Sequence, residues 1–307
     1  MRKYLSLLLV LLLGISVLTA CSTESGLEAE SKKADKSVKI GFSISTLNNP
    51  FFVSLKEGAE KVAKQEGIEL IVTDAQDDTA KQVSDVEDLI QKNVDIILIN
   101  PTDGKAVVTA VESANKAKIP VITVDREAEG GEVLSHIASD NVSGGKMAGE
   151  FILNQIGNKG KLVELQGIPG TSAARDRGKG FHLAVDGEDG VEVVASQPAD
   201  FARDKGLTVM ENILQSQPDI QAVFAHNDEM ALGALKAIQE AKKQILVVGF
   251  DATDDAMAAV KKGELGATIA QKPGKMGEIA VSTAIQAAQG NKVEKFHPVE
   301  LELIKKQ

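Results

Sequence analysis

"VDIILINPTDGKAVVTAVESANKAKIPVITVDR" (Val94–Arg126) holds an apolar run, an amphipathic stretch and a second apolar run. The runs Ile96–Asn100 and Val121–Val124 are short and rich in β-branched residues. They lack polar alternation, as do strands buried on both faces. Lys105–Ala117 between them has helical spacing. A strand, a helix and a strand at this spacing predict a parallel βαβ unit. The pattern returns in "PDIQAVFAHNDEMALGALKAIQEAKKQILVVGFD" (Pro218–Asp251). Asn100 to Asp125 is 25 positions and Asn227 to Asp251 is 24. Matching polar residues at both strand ends point to two lobes built on one plan.

Further strands are expected at Lys39–Ser43, Glu69–Thr73, His136–Ala138, Lys161–Leu165, Val191–Ala195, Ala222–Ala225, Ile245–Gly249 and Ala267–Ala270. Helices are expected, among others, at Phe51–Gln65, Ala80–Lys92, Gly144–Ile156, Arg203–Gln215 and Glu229–Glu240. The predicted fold class is α/β, with two Rossmann-like lobes, each a parallel sheet flanked by helices.

The N-terminus stands apart. "MRKYLSLLLVLLLGISVLTAC" has a basic start, a Leu-rich run and small residues before Cys21, which predicts a signal peptide over residues 1–20. "LTAC" resembles a bacterial lipobox, and Cys21 is the only Cys, so lipidation there and a membrane anchor are expected. The polar segment that follows reads as a tether, over 21–37. The protein is then extracytoplasmic. Formal net charge is −10; removing residues 1–20 takes away Arg2 and Lys3 and no acid, leaving −12. Without a basic patch, nucleic-acid binding is disfavoured.

In open parallel sheets ligands sit beyond the carboxyl ends of the strands. The first series places Ser45, Asn49, Phe51, Phe52, Asn100, Asp125 and Arg126 there. The second places Arg175, Arg177, Asn227, Phe250, Asp251 and Gln271, with Phe201 in a loop. Asn49 suits a helix cap ahead of Pro50. Four of the nine Phe in a chain without Trp fall in this set. Flat apolar faces ringed by amides, carboxylates and guanidiniums suit a sugar ring. Asp125 and Asp251 balance two arginines, so the expected ligand is neutral. Spacing alone leaves Arg175 and Arg177 both open.

The motifs "STLNNPFF", "LINPTD", "PVITVDR", "LQGIPGTSAARDRGKGF", "SQPADF", "FAHNDEMALGAL", "VVGFD" and "TIAQKP" resemble the periplasmic sugar-binding proteins that serve ABC importers, and closely so their ribose-binding members. The likeness spans residues 37–307. It implies ligand contacts at Ser45, Asn49, Phe51, Phe52, Asn100, Asp125, Arg126, Arg177, Phe201, Asn227, Phe250, Asp251 and Gln271, and so chooses Arg177 over Arg175. It implies lobes of 38–139 plus 272–300 and of 140–271 plus 301–307, joined by three crossovers that act as a hinge. The implied ligand is D-ribose or a similar neutral monosaccharide such as allose. An ABC permease is the implied partner, with a chemoreceptor as a second candidate and a monomeric chain expected. Two residues depart from the family pattern. His226 precedes the binding Asn and is expected to be a neighbour of the ligand, not a contact. Ala252 stands where Gly is common.

Rival readings fare worse. The four His have no metal-ligand spacing, no phosphate loop or nucleophile elbow occurs, and no cofactor is implied. Asp125 and Asp251 as a glycosidase pair have nothing in the sequence to raise one pKa. A sugar-responsive repressor would need a DNA-binding headpiece where this chain carries a secretion signal.

Overall fold

The computed structural model describes residues 38–306; the expected signal peptide, Cys21 and the tether lie outside them. The first lobe begins with β1 (Lys39–Ile44), α1 (Pro50–Glu66), β2 (Glu69–Asp74), α2 (Thr79–Gln91), β3 (Ile96–Ile99), α3 (Val108–Lys116), β4 (Val121–Val124) and β5 (Ser135–Ser139). The chain then builds α4 (Asn141–Ile156), β6 (Gly160–Gln166), α5 (Ser172–Val185), β7 (Val191–Pro198), α6 (Arg203–Ser216) and β8 (Ala222–Ala225). There follow α7 (Asp228–Glu240), β9 (Leu246–Asp251), α8 (Asp254–Lys262), β10 (Ala267–Ala270), α9 (Pro273–Ala288), β11 (Phe296–Val299) and β12 (Glu302–Lys305).

Two six-stranded sheets result, ordered β11-β5-β4-β3-β1-β2 and β12-β10-β9-β8-β6-β7. The orders correspond strand for strand, so β3 matches β8 and β4 matches β9. The chain passes between the sheets three times: between β5 and β6, between β10 and β11, and between β11 and β12. β3, β4 and β8 are wholly buried along their length, as strands covered by helices on both faces must be. Each sheet accordingly has an apolar cluster on either side. Among the described residues no helix is long and apolar enough to cross a membrane.

The structure corrects the expected fold in three places. The second sheet is not purely parallel, because β12 runs antiparallel to β10. The helix expected from Lys105 starts only at Val108, because Asp103 Oδ1 accepts hydrogen bonds from the N–H groups of Lys105 and Ala106, at 2.9 and 2.8 Å, and holds a turn there. β9 runs on to Asp251, so Phe250 and Asp251 belong to the strand.

Three helix pairs pack backbone against backbone through glycines. A Cβ on Gly58 of α1 would lie 2.0 Å from the Gly274 carbonyl oxygen, and one on Gly277 of α9 would lie 2.1 Å from that of Leu55. Gly145 and Gly180 play the same part between α4 and α5, and Gly206 and Gly233 between α6 and α7. In the first pair the contact docks α9, which follows the second crossover, onto α1, which carries Phe51 and Phe52.

Gly277→Ala must push these helices apart and should cost about 1–3 kcal/mol. Gly274→Ala, in the same interface, meets only the Ser54 oxygen at 3.6 Å and should be nearly neutral. Urea melts of the two variants check this; equal midpoints would mean that the helix spacing is not set by glycine.

Candidate functional site

The strand ends of the two sheets face each other across a cleft. At the start of α1, Asn49 has extended backbone and its Oδ1 accepts from the Phe51 N–H at 2.9 Å, with Pro50 in the first helical position. That cap leaves Phe51 and Phe52 in the first turn. Their rings meet edge to face, with centroids 5.1 Å apart. Both rings belong to the first lobe's core and both line the cleft.

Asp125 directly follows β4 and Asp251 ends β9, the matched strands. Both have left-handed backbone, φ +66° and +121°, a strain that L residues carry when surrounding contacts fix it. Asp125 Oδ2 lies 3.8 Å from Arg126 Nε, and Asp251 Oδ1 lies 3.7 Å from Arg177 Nη1. Arg126 Nη1 donates to the Pro101 carbonyl at 3.1 Å. Its guanidinium lies 5.0 Å from the centroid of Phe52 and 5.3 Å from that of Phe201. Arg177 donates through Nε to Asn141 Oδ1 at 2.8 Å and through Nη1 to the His226 carbonyl at 2.6 Å. Asn227 caps α7 and donates to the Phe201 carbonyl at 3.1 Å. Gln271 Nε2 donates to Asp251 Oδ1 at 2.8 Å.

These groups surround a small cavity between the strand ends. Its walls are Asn49, Phe51, Phe52, Asp125, Arg126, Arg177, Phe201, Asn227, Asp251 and Gln271, together with Ala173. Sequence reasoning named all of these but Ala173. The other three residues stand behind the wall. Ser45 donates to Asn100 Oδ1 at 2.7 Å, and Asn100 in turn donates to the Val124 carbonyl and, at 3.5 Å, to Asp125 Oδ2. Phe250 lies beneath Arg177, with the guanidinium 3.9 Å from its ring centroid. Arg175 is half exposed and off the cavity.

Burial pushes the carboxyls of Asp125 and Asp251 upward, and the neighbouring arginines oppose it. Burial likewise pulls both arginines down. The four charges cancel. Three buried polar atoms on the cavity residues have no hydrogen-bond partner in the protein: Asp125 Oδ1, Arg126 Nε and Gln271 Oε1. Two are acceptors and one is a donor, the complement of hydroxyl groups.

Sequence reasoning missed the group behind Arg177 and Asn227. Glu164, in the middle of β6, is fully buried. It accepts from His226 Nε2 at 2.9 Å, from Gln166 Nε2 at 3.0 Å and from Ser196 Oγ. The other His226 nitrogen, Nδ1, accepts from the Gly167 N–H at 3.3 Å. Burial keeps His226 neutral, so it acts on Glu164 as a hydrogen-bond donor. Burial would raise the Glu164 pKa, yet the bonds from His226 and Ser196 and the proximity of the His226 and His182 rings prevail and hold it at about 2. A carboxylate set between apolar residues, in "LVEL", was the available signal.

The periplasmic binding protein domain matches over residues 40–292. The ribose import binding protein of Bacillus subtilis is 54% identical over 305 residues, covering 99% of each chain. That of Escherichia coli K12 is 56% identical over 269 residues, 87% of this chain and 90% of the relative. An ABC transporter solute-binding protein from Actinobacillus succinogenes, solved with bound D-allose, superposes with a TM-score of 0.83 at 33% identity, over 88% of this chain and 98% of that one.

Glu164 gives a test of the support layer. Its folded pKa lies below the ordinary 4.5, so its stabilising contribution is complete above that value and is lost as pH falls toward 2. The contribution is about 2–3 kcal/mol. Urea melts from pH 6 to pH 3 should show wild type losing more stability than Glu164→Gln. Parallel losses would mean that Glu164 is not held as a carboxylate.

Proposed function

The chain belongs to the periplasmic binding protein family, and from that premise we propose that it is the extracytoplasmic receptor of an ABC importer for D-ribose. The observation that carries this reading is the trio of buried, unpaired atoms on Asp125, Arg126 and Gln271. Leaving each unpaired costs about 1–3 kcal/mol, and a ligand hydroxyl relieves it. Phe51, Phe52 and Phe201 offer apolar faces to the C–H faces of a sugar ring, and the balanced charges suit a neutral ligand. The relatives more than half identical over most of the chain are named for ribose, whereas the allose-bound structure is a third identical. This favours ribose over allose.

Mechanism follows from the division of the site. Asp125 and Arg126 follow β4 in the first lobe; Arg177, Asn227 and Asp251 belong to the second lobe. Neither set encloses a ligand alone. An open cleft admits the sugar, and closure about the three crossovers brings the second set into reach. Only bonds made in the closed form shift the population toward it. The permease then distinguishes loaded from empty receptor by shape. Cys21 carries the lipid that keeps this receptor at the membrane, a reading supported by "LTAC" and the absence of any other Cys.

Isothermal titration of the mature chain should show saturable binding of D-ribose, with D-glucose and amino acids far weaker. Asp125→Ala should weaken ribose binding about 10- to 100-fold, the value of one or two hydrogen bonds to a charged group. Saturable binding of an amino acid without ribose binding would overturn the assignment.

Metabolic labelling with a fatty acid should mark wild type and not Cys21→Ala. An unmarked wild type would remove the anchor.

A further inference from the structure

The arginine that the ligand site does not use has a place of its own. Arg175 lies on the first turns of α5, in the second lobe. Its guanidinium reaches across the cleft mouth to Glu127 at 3.6 Å and Glu129 at 3.4 Å, both in the segment after β4 of the first lobe. Two more contacts lie on the same rim. The Glu127 N–H donates to Ser172 Oγ at 2.9 Å, and the Gly104 N–H donates to the Gly170 carbonyl at 3.0 Å. Gly170 has φ +94°, and a Cβ there would lie 2.0 Å from Asp103 Oδ2 of the opposite lobe. Arg175, Glu127, Glu129, Ser172 and Gly170 all lie off the sugar cavity.

We propose that Arg175, paired with Glu127 and Glu129 across the cleft mouth, is an affinity-setting latch that holds the closed form without touching the ligand. The proposal rests on the reading that a neutral sugar closes the cleft. Every one of these contacts joins the two lobes, so each counts only when they meet. Apparent affinity is intrinsic affinity scaled by the fraction of receptor able to close, and a contact confined to the closed form raises that fraction. Arg175 also meets Asp176 of its own helix, at 3.1 Å. That pair survives opening and contributes nothing to the difference.

The latch differs from the cavity charges in its exposure to solvent. The Arg175, Glu127 and Glu129 side chains are 49%, 52% and 35% exposed. Exposed pairs are each worth about 1.5- to 5-fold in an equilibrium and are screened by salt. A sugar without charge gives binding no salt dependence of its own. The latch supplies one.

Wild-type affinity for D-ribose should fall about three- to tenfold between 20 mM and 500 mM NaCl. Arg175→Gln should start at the weaker affinity and stay there as salt rises. Glu127→Gln/Glu129→Gln should match it, and the triple variant should be no weaker than either. A variant with the salt dependence of wild type, or effects that simply add, would overturn the latch. Single-molecule FRET between dyes on α3 and α6 tests it without any ligand. The closed population should fall in Arg175→Gln, and an unchanged population would overturn the proposal whatever the cleft binds. Absence of ribose binding by wild type would strike the sugar reading alone, leaving the FRET result to decide the latch.

Discussion

Four charges out of water govern this site. Removing one partner of a buried ion pair typically costs about 3–5 kcal/mol, because the other is left uncompensated. Here the pairing is arranged within lobes. Asp125 answers Arg126 in the first, and Asp251 answers Arg177 in the second. Each lobe is therefore locally neutral at the cleft whether or not the other is near. The lobes can part without either exposing a lone buried charge. Asn100 behind Asp125 and Asn141 behind Arg177 fix these groups in place. So does the close approach of Gly145 to the Arg177 backbone.

The two lobes share a plan but use matched residues differently. Asn100 and Asn227 stand at the ends of matched strands. Asn227 is followed at once by α7 and spends its side-chain oxygen on the helix cap. Asn100 is followed by a turn that delays α3, so no helix end lies within its reach. Its side chain instead ties β1 to β4 through Ser45 and the Val124 carbonyl. Asn100 is one residue past β3 and Asn227 two past β8, and the first becomes a support residue, the second a wall residue.

That difference marks the limit of what the sequence reveals. Central strands such as Val121–Val124 were legible because burial on both faces demands continuous apolar residues. β11 and β12 were not. "FHPV" contains a Pro, "ELIK" has only two apolar residues, and each is only four residues long. The side chains at the strand ends were legible as a set, because topology alone brings them to one edge. Their depth was not. Phe201 and Phe250 look equivalent in sequence, yet Phe250 lies within β9 and points beneath Arg177, where Gly144 leaves room for its ring. Phe201, in a loop, turns to the cavity. Alternation along a strand separates the two only once the strand's end is known.

The final crossover bears on the birth of the molecule. β11 closes the edge of one sheet and β12 that of the other, and both lie within Phe296–Lys305. β11 pairs with β5, whose partner residues begin at His136, so that contact spans more than half the chain. A polypeptide still emerging from its ribosome or an export channel therefore has two unfinished halves rather than one finished and one pending. Contacts between residues so distant in sequence form slowly. The order of synthesis leaves each sheet without one edge strand until Phe296–Lys305 has emerged.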